Sequence, residues 1–318
     1  MIPNKENTKR IILLDYSIFI HTGFAVWQKC PSIPATYTAM SSMLSTLNKV
    51  GASPDDVIML AIDSRPSWRC AFSDEYKANR ESLPPEIREQ FAWLKDELNK
   101  QTNWIIIEPG NGIEADDLAT TICKFFKDIP EIILCSSDHD WEQAWTLHDG
   151  VKIFSLHSKK WKIKPENYNL YQELAKMVHK ETSDNLVSAV MNNEEYDKRL
   201  MLIDLTRLPE WVEKIIFDYL SNEELYNKNI TYETVPIGKS SLQPRLDNLY
   251  NSSIDFISYE TQALKTLMVE AKEKDKKFEL KLKLQRAKER AIKKEAKLKI
   301  QSKTNRRQVN GKIYPSCI

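Results

Sequence analysis

Residues 10–15 read Arg-Ile-Ile-Leu-Leu-Asp. Four aliphatic residues in succession, with no polar alternation, suit a strand covered on both faces, as in a parallel sheet packed between helices. The pattern recurs at Val57–Asp63, Trp104–Glu108, Glu131–Ser136 and Val151–Ser155. Between these runs lie stretches long enough for crossover helices, at Tyr37–Val50, Pro85–Lys100, Asp116–Lys127 and Trp141–Leu147. Proline is tolerated in a first helical turn, so Pro84-Pro85 opens its helix well. The β-α-β-α order predicts an α/β fold, a parallel sheet sandwiched by helices, with ligands at the carboxyl ends of the strands.

Carboxylates fall at those ends. Asp15 closes the first run and Asp63 the second; Glu114-Ala115-Asp116-Asp117 follows the third and Asp138-His139-Asp140 the fourth. A parallel sheet brings all of them to one edge. Two carboxylates about 4 Å apart repel by roughly 4 kcal/mol at an effective dielectric near 20, so such a cluster needs a counter-charge. Oxygen donors suit hard divalent cations such as magnesium. A pair of such ions can stabilise the attacking and leaving oxygens of phosphodiester hydrolysis. Taken singly, each carboxylate also serves as a cap for the helix that follows it. His139 reads as a spacer, because an oxygen-rich site favours a hard metal.

The composition excludes several other classes. The chain has 318 residues, 42% hydrophobic and 29% charged, which is enough apolar material for a sizeable core and unlike collagen or a disordered chain. The longest purely aliphatic run is Ile11–Leu14, whereas a membrane span needs about 20 apolar residues. No signal-peptide pattern follows Met1, so the sequence predicts a cytoplasmic protein with no membrane partner. Five cysteines without a C-x-x-C pair predict reduced, mostly buried thiols. Glycine-rich nucleotide loops and a G-x-S-x-G nucleophile elbow are absent from the sequence.

Four regions follow from the pattern: an α/β domain over 1–165, a helical region over 166–225 with an apolar, strand-like insert at Leu200–Leu205, an irregular wrap or linker over 226–260, and a long charged helical tail over 261–318. The net charge of +1 hides an asymmetry. Residues 261–312 hold 18 Lys/Arg and 6 Asp/Glu, a net of +12, against −11 for residues 1–260. A basic tail on an acidic body predicts a nucleic-acid partner, and a solvated helix accounts for the same composition.

Residues 65–80, RPSWRCAFSDEYKANR, mix cations and rings. On a helix, Arg69, Tyr76, Lys77 and Arg80 share one side, which suits single-stranded nucleic acid: rings stack on bases and cations meet phosphates. The same periodicity also fits an amphipathic helix burying Trp68, Phe72 and Tyr76.

Together, IDSRPSWRCAFSDEYKANR (62–80), GIEADD (112–117), ILCSSDHDW (133–141) and ETSDN (181–185), in this order, resemble the FEN-like 5′-nuclease family, which has a PIN-like domain and includes phage ribonucleases H. The resemblance covers most of residues 10–220. It implies a metal-dependent 5′→3′ exonuclease and flap endonuclease that removes RNA primers and 5′ flaps during replication, here of a phage genome. Asp15, Asp63, Glu114 and Asp116 then match positions that hold a first Mg2+ (or Mn2+), with Asp117 close by. Asp138, Asp140 and Asp184, with Glu181, match the second group. Residues 64–82 match an arch, with Arg69 and Lys77 in catalytic positions, Lys77 at the scissile phosphate, and Trp68, Tyr76 and Arg80 on nucleic acid. The implied partners are DNA, RNA–DNA duplex and 5′ flaps, with a single-strand-binding protein or a sliding clamp.

Two features depart from the family pattern. Where the family carries G-D-x-x-D-N, this chain reads Lys180-Glu181-Thr182-Ser183-Asp184-Asn185. The glycine-rich helix–two-turn–helix that grips duplex is shortened, with sixteen residues between Asn185 and Leu202, and the basic tail is expected to supply that grip. Two other readings remain open: a PIN-type endoribonuclease, and a non-catalytic structure-specific DNA-binding relative.

Overall fold

The computed structural model describes residues 1–227 apart from 31–32, 54, 74–75, 79, 81 and 181–191. The expected linker at 226–260 beyond residue 227, the basic tail, Glu181 and Asp184 therefore lie outside the described residues.

β1 (Arg10–Asp15) lies inside a six-stranded sheet. β2 (Val57–Ala61) and β4 (Glu131–Cys135) flank it, β3 (Ile105–Ile107) and β5 (Val151–Ser155) come next, and β6 (Lys160–Lys162) closes one edge, giving the order β3-β2-β1-β4-β5-β6. Every pairing is parallel except β5 with β6. The register sets Asp15 beside Ala61, and Leu14 beside Cys135, so the chain segments that follow β1, β2 and β4 leave the sheet together.

The uninterrupted apolar strands feed two cores. Ile12, Leu14 and Leu60 face one core, which α1 (Tyr16–Trp27), α2 (Ala35–Lys49) and α3 (Pro85–Gln101) cover. Ile11, Leu13, Met59 and Ala61 face the other, under α4 (Ala115–Phe125), a 3-10 turn at Asp140–Thr146 and, further along the chain, α7 (Glu210–Leu220). Successive side chains of a strand point to opposite faces, which is why one apolar run supplies both layers. Each fully buried Leu or Ile contributes about 1.5–3 kcal/mol.

Three expectations need correction. The sequence pattern predicts no helix at 16–27, yet α1 forms there. Its apolar residues surround it almost without polar interruption, so it carries no one-sided signal. It packs tightly on α2: a Cβ on Gly23 would come within 2.4 Å of the Ala35 carbonyl oxygen. Leu200–Leu205 is not strand-like, because α6 (Asn193–Ile203) runs through most of it and packs with α5 (Leu170–Lys180) around Leu174, Val178, Leu202 and Ile203. Residues 65–80 do not form one helix: a 3-10 turn spans Trp68–Ala71, and Lys77 takes the left-handed backbone region at φ 53°, which a continuous α-helix does not allow.

Candidate metal centre

Asp116 stands in the first turn of α4, half-buried, and Trp141 Nε1 donates to its Oδ1 at 2.8 Å. Asp138 and Asp140 sit on the loop after β4, which closes on itself: Asp140 N donates to Asp138 Oδ1 at 2.9 Å and Asp138 N to Ser136 Oγ at 3.0 Å. One carboxylate oxygen from each of Asp116, Asp138 and Asp140 lies within 4.8 Å of the others. Asp15 is buried at the end of β1, where Ser17 Oγ donates to Oδ1 at 2.7 Å and Ser136 Oγ to Oδ2 at 2.8 Å. Asp63 accepts from Ala115 N at 2.8 Å. All five line one cavity of about 650 Å³, with Lys77 and Arg80 as its lysine and arginine.

The electrostatics are those of unneutralised carboxylates. Burial pushes Asp15 up to about 6, against its two serine donors and with the Asp63 and Asp138 carboxylates adding to the rise. Burial and then Asp138 push Asp116 well above the usual carboxylate range; Lys77 acts in the opposite sense and Asp140 and Glu114 in the same one. Burial leads both shifts, and the neighbouring carboxylates add to it, so each acid is costly to ionise in the metal-free protein. The donor set is all oxygen, which fits a hard divalent cation.

Glu114 and Asp117, expected beside the metals, belong to a different arrangement. They form a reciprocal cap at the head of α4, in which Glu114 N donates to Asp117 Oδ2 at 3.0 Å. Arg69, 1% exposed, lies across them: Nη1 donates to Glu114 Oε2 at 2.8 Å and Nη2 to Asp117 Oδ1 at 2.6 Å. Its Nε reaches Leu202 O at 2.8 Å, satisfying a carbonyl near the C-terminus of α6. Lys77 Nζ donates to Glu114 Oε1 at 2.7 Å and Tyr76 Oη to Oε2 at 2.9 Å. Burial raises the Glu114 carboxyl, but Lys77 and Arg69 outweigh it and hold it below its ordinary value. Burial alone would lower the Arg69 guanidinium, and the anions around it, Asp117 first, reverse that.

The expected nucleic-acid surface is accordingly redistributed. Trp68 and Tyr76 are buried, at 5% and 4% exposure, and Trp68 Nε1 donates to Asp117 Oδ2 at 3.0 Å. Their rings pack on Arg69, at 4.5 Å and 6.0 Å from its guanidinium carbon, so in this structure neither presents a face to a ligand. Arg69 holds the site together and does not line the cavity; Lys77 and Arg80 do line it. Exposed His139 pairs with Glu142 and takes no part in the acidic cluster. Sequence reasoning missed Ser17, Ser136 and Trp141, which orient the acids; the only signal for Ser136 is its place two residues before Asp138.

The site thus sits on an α/β domain, a mostly parallel sheet between helices with converging carboxylates at its carboxyl edge. Residues 10–197 match the family described as 5′-3′ exonuclease, N-terminal resolvase-like domain, and the chain belongs to that family. It is 28% identical to the thermostable DNA polymerase I of Thermus thermophilus over 219 residues, 63% of this chain and 25% of the polymerase. It is 26% identical to the ribonuclease H of Enterobacteria phage T4 over 219 residues, 63% of this chain and 70% of that protein. The chain thus spans only a quarter of the polymerase's length. The fold is shared with the T5 D15 protein, solved with metal ions, at a TM-score of 0.50 and 18% identity over 69% of this chain and all of that one. Among the described residues no helix is long and apolar enough to cross a membrane.

Proposed function

We propose that the chain is a divalent-metal-dependent 5′→3′ exonuclease and flap endonuclease acting on RNA primers and 5′ flaps on DNA, in the replication of a phage genome. The observation that carries this reading is the convergence of Asp116, Asp138 and Asp140, with Asp15 and Asp63, on one cavity. Asp116, Asp138 and Asp140 would hold one Mg2+ or Mn2+, and Asp15 and Asp63 on the same cavity would serve a second; Glu181 and Asp184, which the resemblance groups with Asp138 and Asp140, lie outside the described residues. Ions bound there supply Lewis-acid stabilisation of the attacking and leaving oxygens of a phosphodiester.

The chain's own residues do the rest. Ser17 and Ser136 fix the Asp15 carboxylate, and Trp141 fixes Asp116. Lys77 Nζ, which donates to Glu114 and lines the cavity, would exchange that carboxylate for the scissile phosphate. Arg80 meets a neighbouring phosphate. Water adds to phosphorus and the P–O3′ bond breaks, leaving a 3′-hydroxyl and a 5′-phosphate. The proposed partners are DNA and RNA–DNA duplex, with the basic tail adding grip and a single-strand-binding protein or sliding clamp coupling the enzyme to replication.

The test is cleavage of 5′-labelled and 3′-labelled flap, nicked and RNA-primed duplexes by the full chain in Mg2+, Mn2+ or EDTA. Short products from the 5′ end, lost in EDTA, are expected. Binding without cleavage in either metal overturns the catalytic reading, and cleavage of single-stranded RNA alone replaces it with an endoribonuclease.

A further inference from the structure

A second cavity, of about 720 Å³, lies between α1 and α3 and shares Ser17, Asp63 and Arg80 with the acidic one. Its size falls within the range of about 300–1,000 Å³ usual for ligand sites. Its chemistry is the reverse of its neighbour's. Arg65, Arg88, Lys95 and His21 join Arg80 in lining it, against Asp63 at the shared wall. Lys95 is committed to Glu108 at 2.6 Å. Arg65 and Arg88 are exposed and have no ion-pair partner among the described residues. Burial, then Arg65 and Arg80, hold the His21 imidazole below its ordinary value. The floor is apolar: Phe91 is buried, and Tyr16 meets it edge-on at 6.5 Å between ring centroids and bonds its carbonyl at 2.9 Å.

Cations over an apolar floor suit a nucleotide, with its phosphate on the guanidinium groups and its base or sugar on the floor. Internal phosphates carry one negative charge, whereas a terminal phosphate carries about 1.5 to 2 near neutral pH and offers three acceptor oxygens. Planar guanidinium groups bind such an end bidentately. We propose that the groove between α1 and α3 is a receptor for the terminal 5′-phosphate of the substrate strand, with Arg65 and Arg88 as its ligands. The assignment rests on the nuclease reading for the identity of the strand. Because the groove adjoins the acidic cavity at Asp63, an end held there sets how far from the terminus the cut falls.

The experiment uses the full chain in EDTA, where no strand is cut, and a 3′-labelled duplex with a short 5′ overhang that ends in either phosphate or hydroxyl. The phosphorylated probe is expected to bind about tenfold more tightly, the worth of one charge-assisted contact. Arg65→Ala and Arg88→Ala each reduce that ratio towards one and leave the hydroxyl probe within about twofold; both side chains are exposed, so neither change disturbs the core. Equal affinity for the two ends in the wild type overturns the assignment. So does a variant that weakens both probes alike, which moves these arginines to internal phosphates. The same protein is then given Mn2+. Cleavage from the 5′ end without an end preference removes the phosphate receptor and keeps the nuclease; a preference without any cleavage keeps the receptor and removes the nuclease.

Discussion

Two sets of acids share the head of α4 and are held in opposite ways. Glu114 and Asp117 are buried and fully answered: Arg69 spans both, Lys77 and Tyr76 bond Glu114, and Trp68 bonds Asp117. Asp116 lies between them in sequence but faces Asp138, Asp140 and the cavity, and accepts a hydrogen bond from the Trp141 indole N–H. A helix turns about 100° per residue, so neighbours in sequence fall on different sides. The first set is therefore a structural joint that ties Trp68–Ala71 and the end of α6 to α4. The second is left with excess negative charge, which costs stability in the free protein and creates affinity for a cation.

The largest contrast is expected in activity. Asp116→Asn should lower cleavage by at least about 100-fold, since even outer-shell changes at metal sites cost 10–100-fold. The same change should raise the melting temperature of the metal-free protein, because Asn keeps an acceptor for Trp141 and removes a charge. A variant that loses activity and stability together would break the distinction between the two sets.

Next is Arg69→Met. Removing one partner of a buried ion pair costs about 3–5 kcal/mol, because the remaining carboxylates are left uncompensated. Urea unfolding should show a loss of that size. A loss under about 1 kcal/mol would mean that the joint is not what holds this end of α4.

The pH dependences should have opposite signs. Asp15 is raised to about 6 from 3.8. Between about pH 4 and 6 the folded state binds the extra proton, so metal-free stability falls as pH rises through this window, by on the order of 3 kcal/mol for a shift of this size. Glu114 is depressed below 4.5, so its contribution is present above that value and is lost as pH falls through the lower folded value. Asp15→Asn should make the first slope shallower, leaving the share of Asp116, and should not change the second. Melting curves across pH 3–8 without metal test both.

The smallest effect concerns the loop that brings the two sets together. Gly112 has φ 73°, and a Cβ there would meet Pro66 O at 2.4 Å and Trp68 N at 2.6 Å. Gly112→Ala should cost about 1–3 kcal/mol, through the left-handed backbone and that close approach. An unchanged melting temperature would show that the Trp68–Ala71 turn can shift without loss.

Much of this was legible in the sequence. Uninterrupted runs such as Ile11–Leu14 and Ile132–Cys135 announce strands covered on both faces, and the topology carries Asp15, Asp63, Asp116, Asp138 and Asp140 to one edge. The division of labour within Glu114–Asp117 was not legible, because it depends on which side of α4 each residue takes and on Arg69 arriving from 45 residues away at Glu114. The burial of Trp68 and Tyr76 was hidden for the same reason: aromatic-cation spacing is equally that of a stacking surface and of a core packed around a buried guanidinium. α1 escaped because its sequence is apolar on nearly every side, and the groove beside it could not be read before α1 and α3 were placed together.

The central claim is that Asp116 and its cavity partners are held uncompensated in order to take up a divalent cation. Calorimetric titration of Mn2+ into the metal-free full chain and its Asp116→Asn form tests this without any substrate. The account predicts saturable binding by the wild type, weakened by at least about tenfold in Asp116→Asn. No binding by the wild type, or equal binding by both proteins, would contradict it.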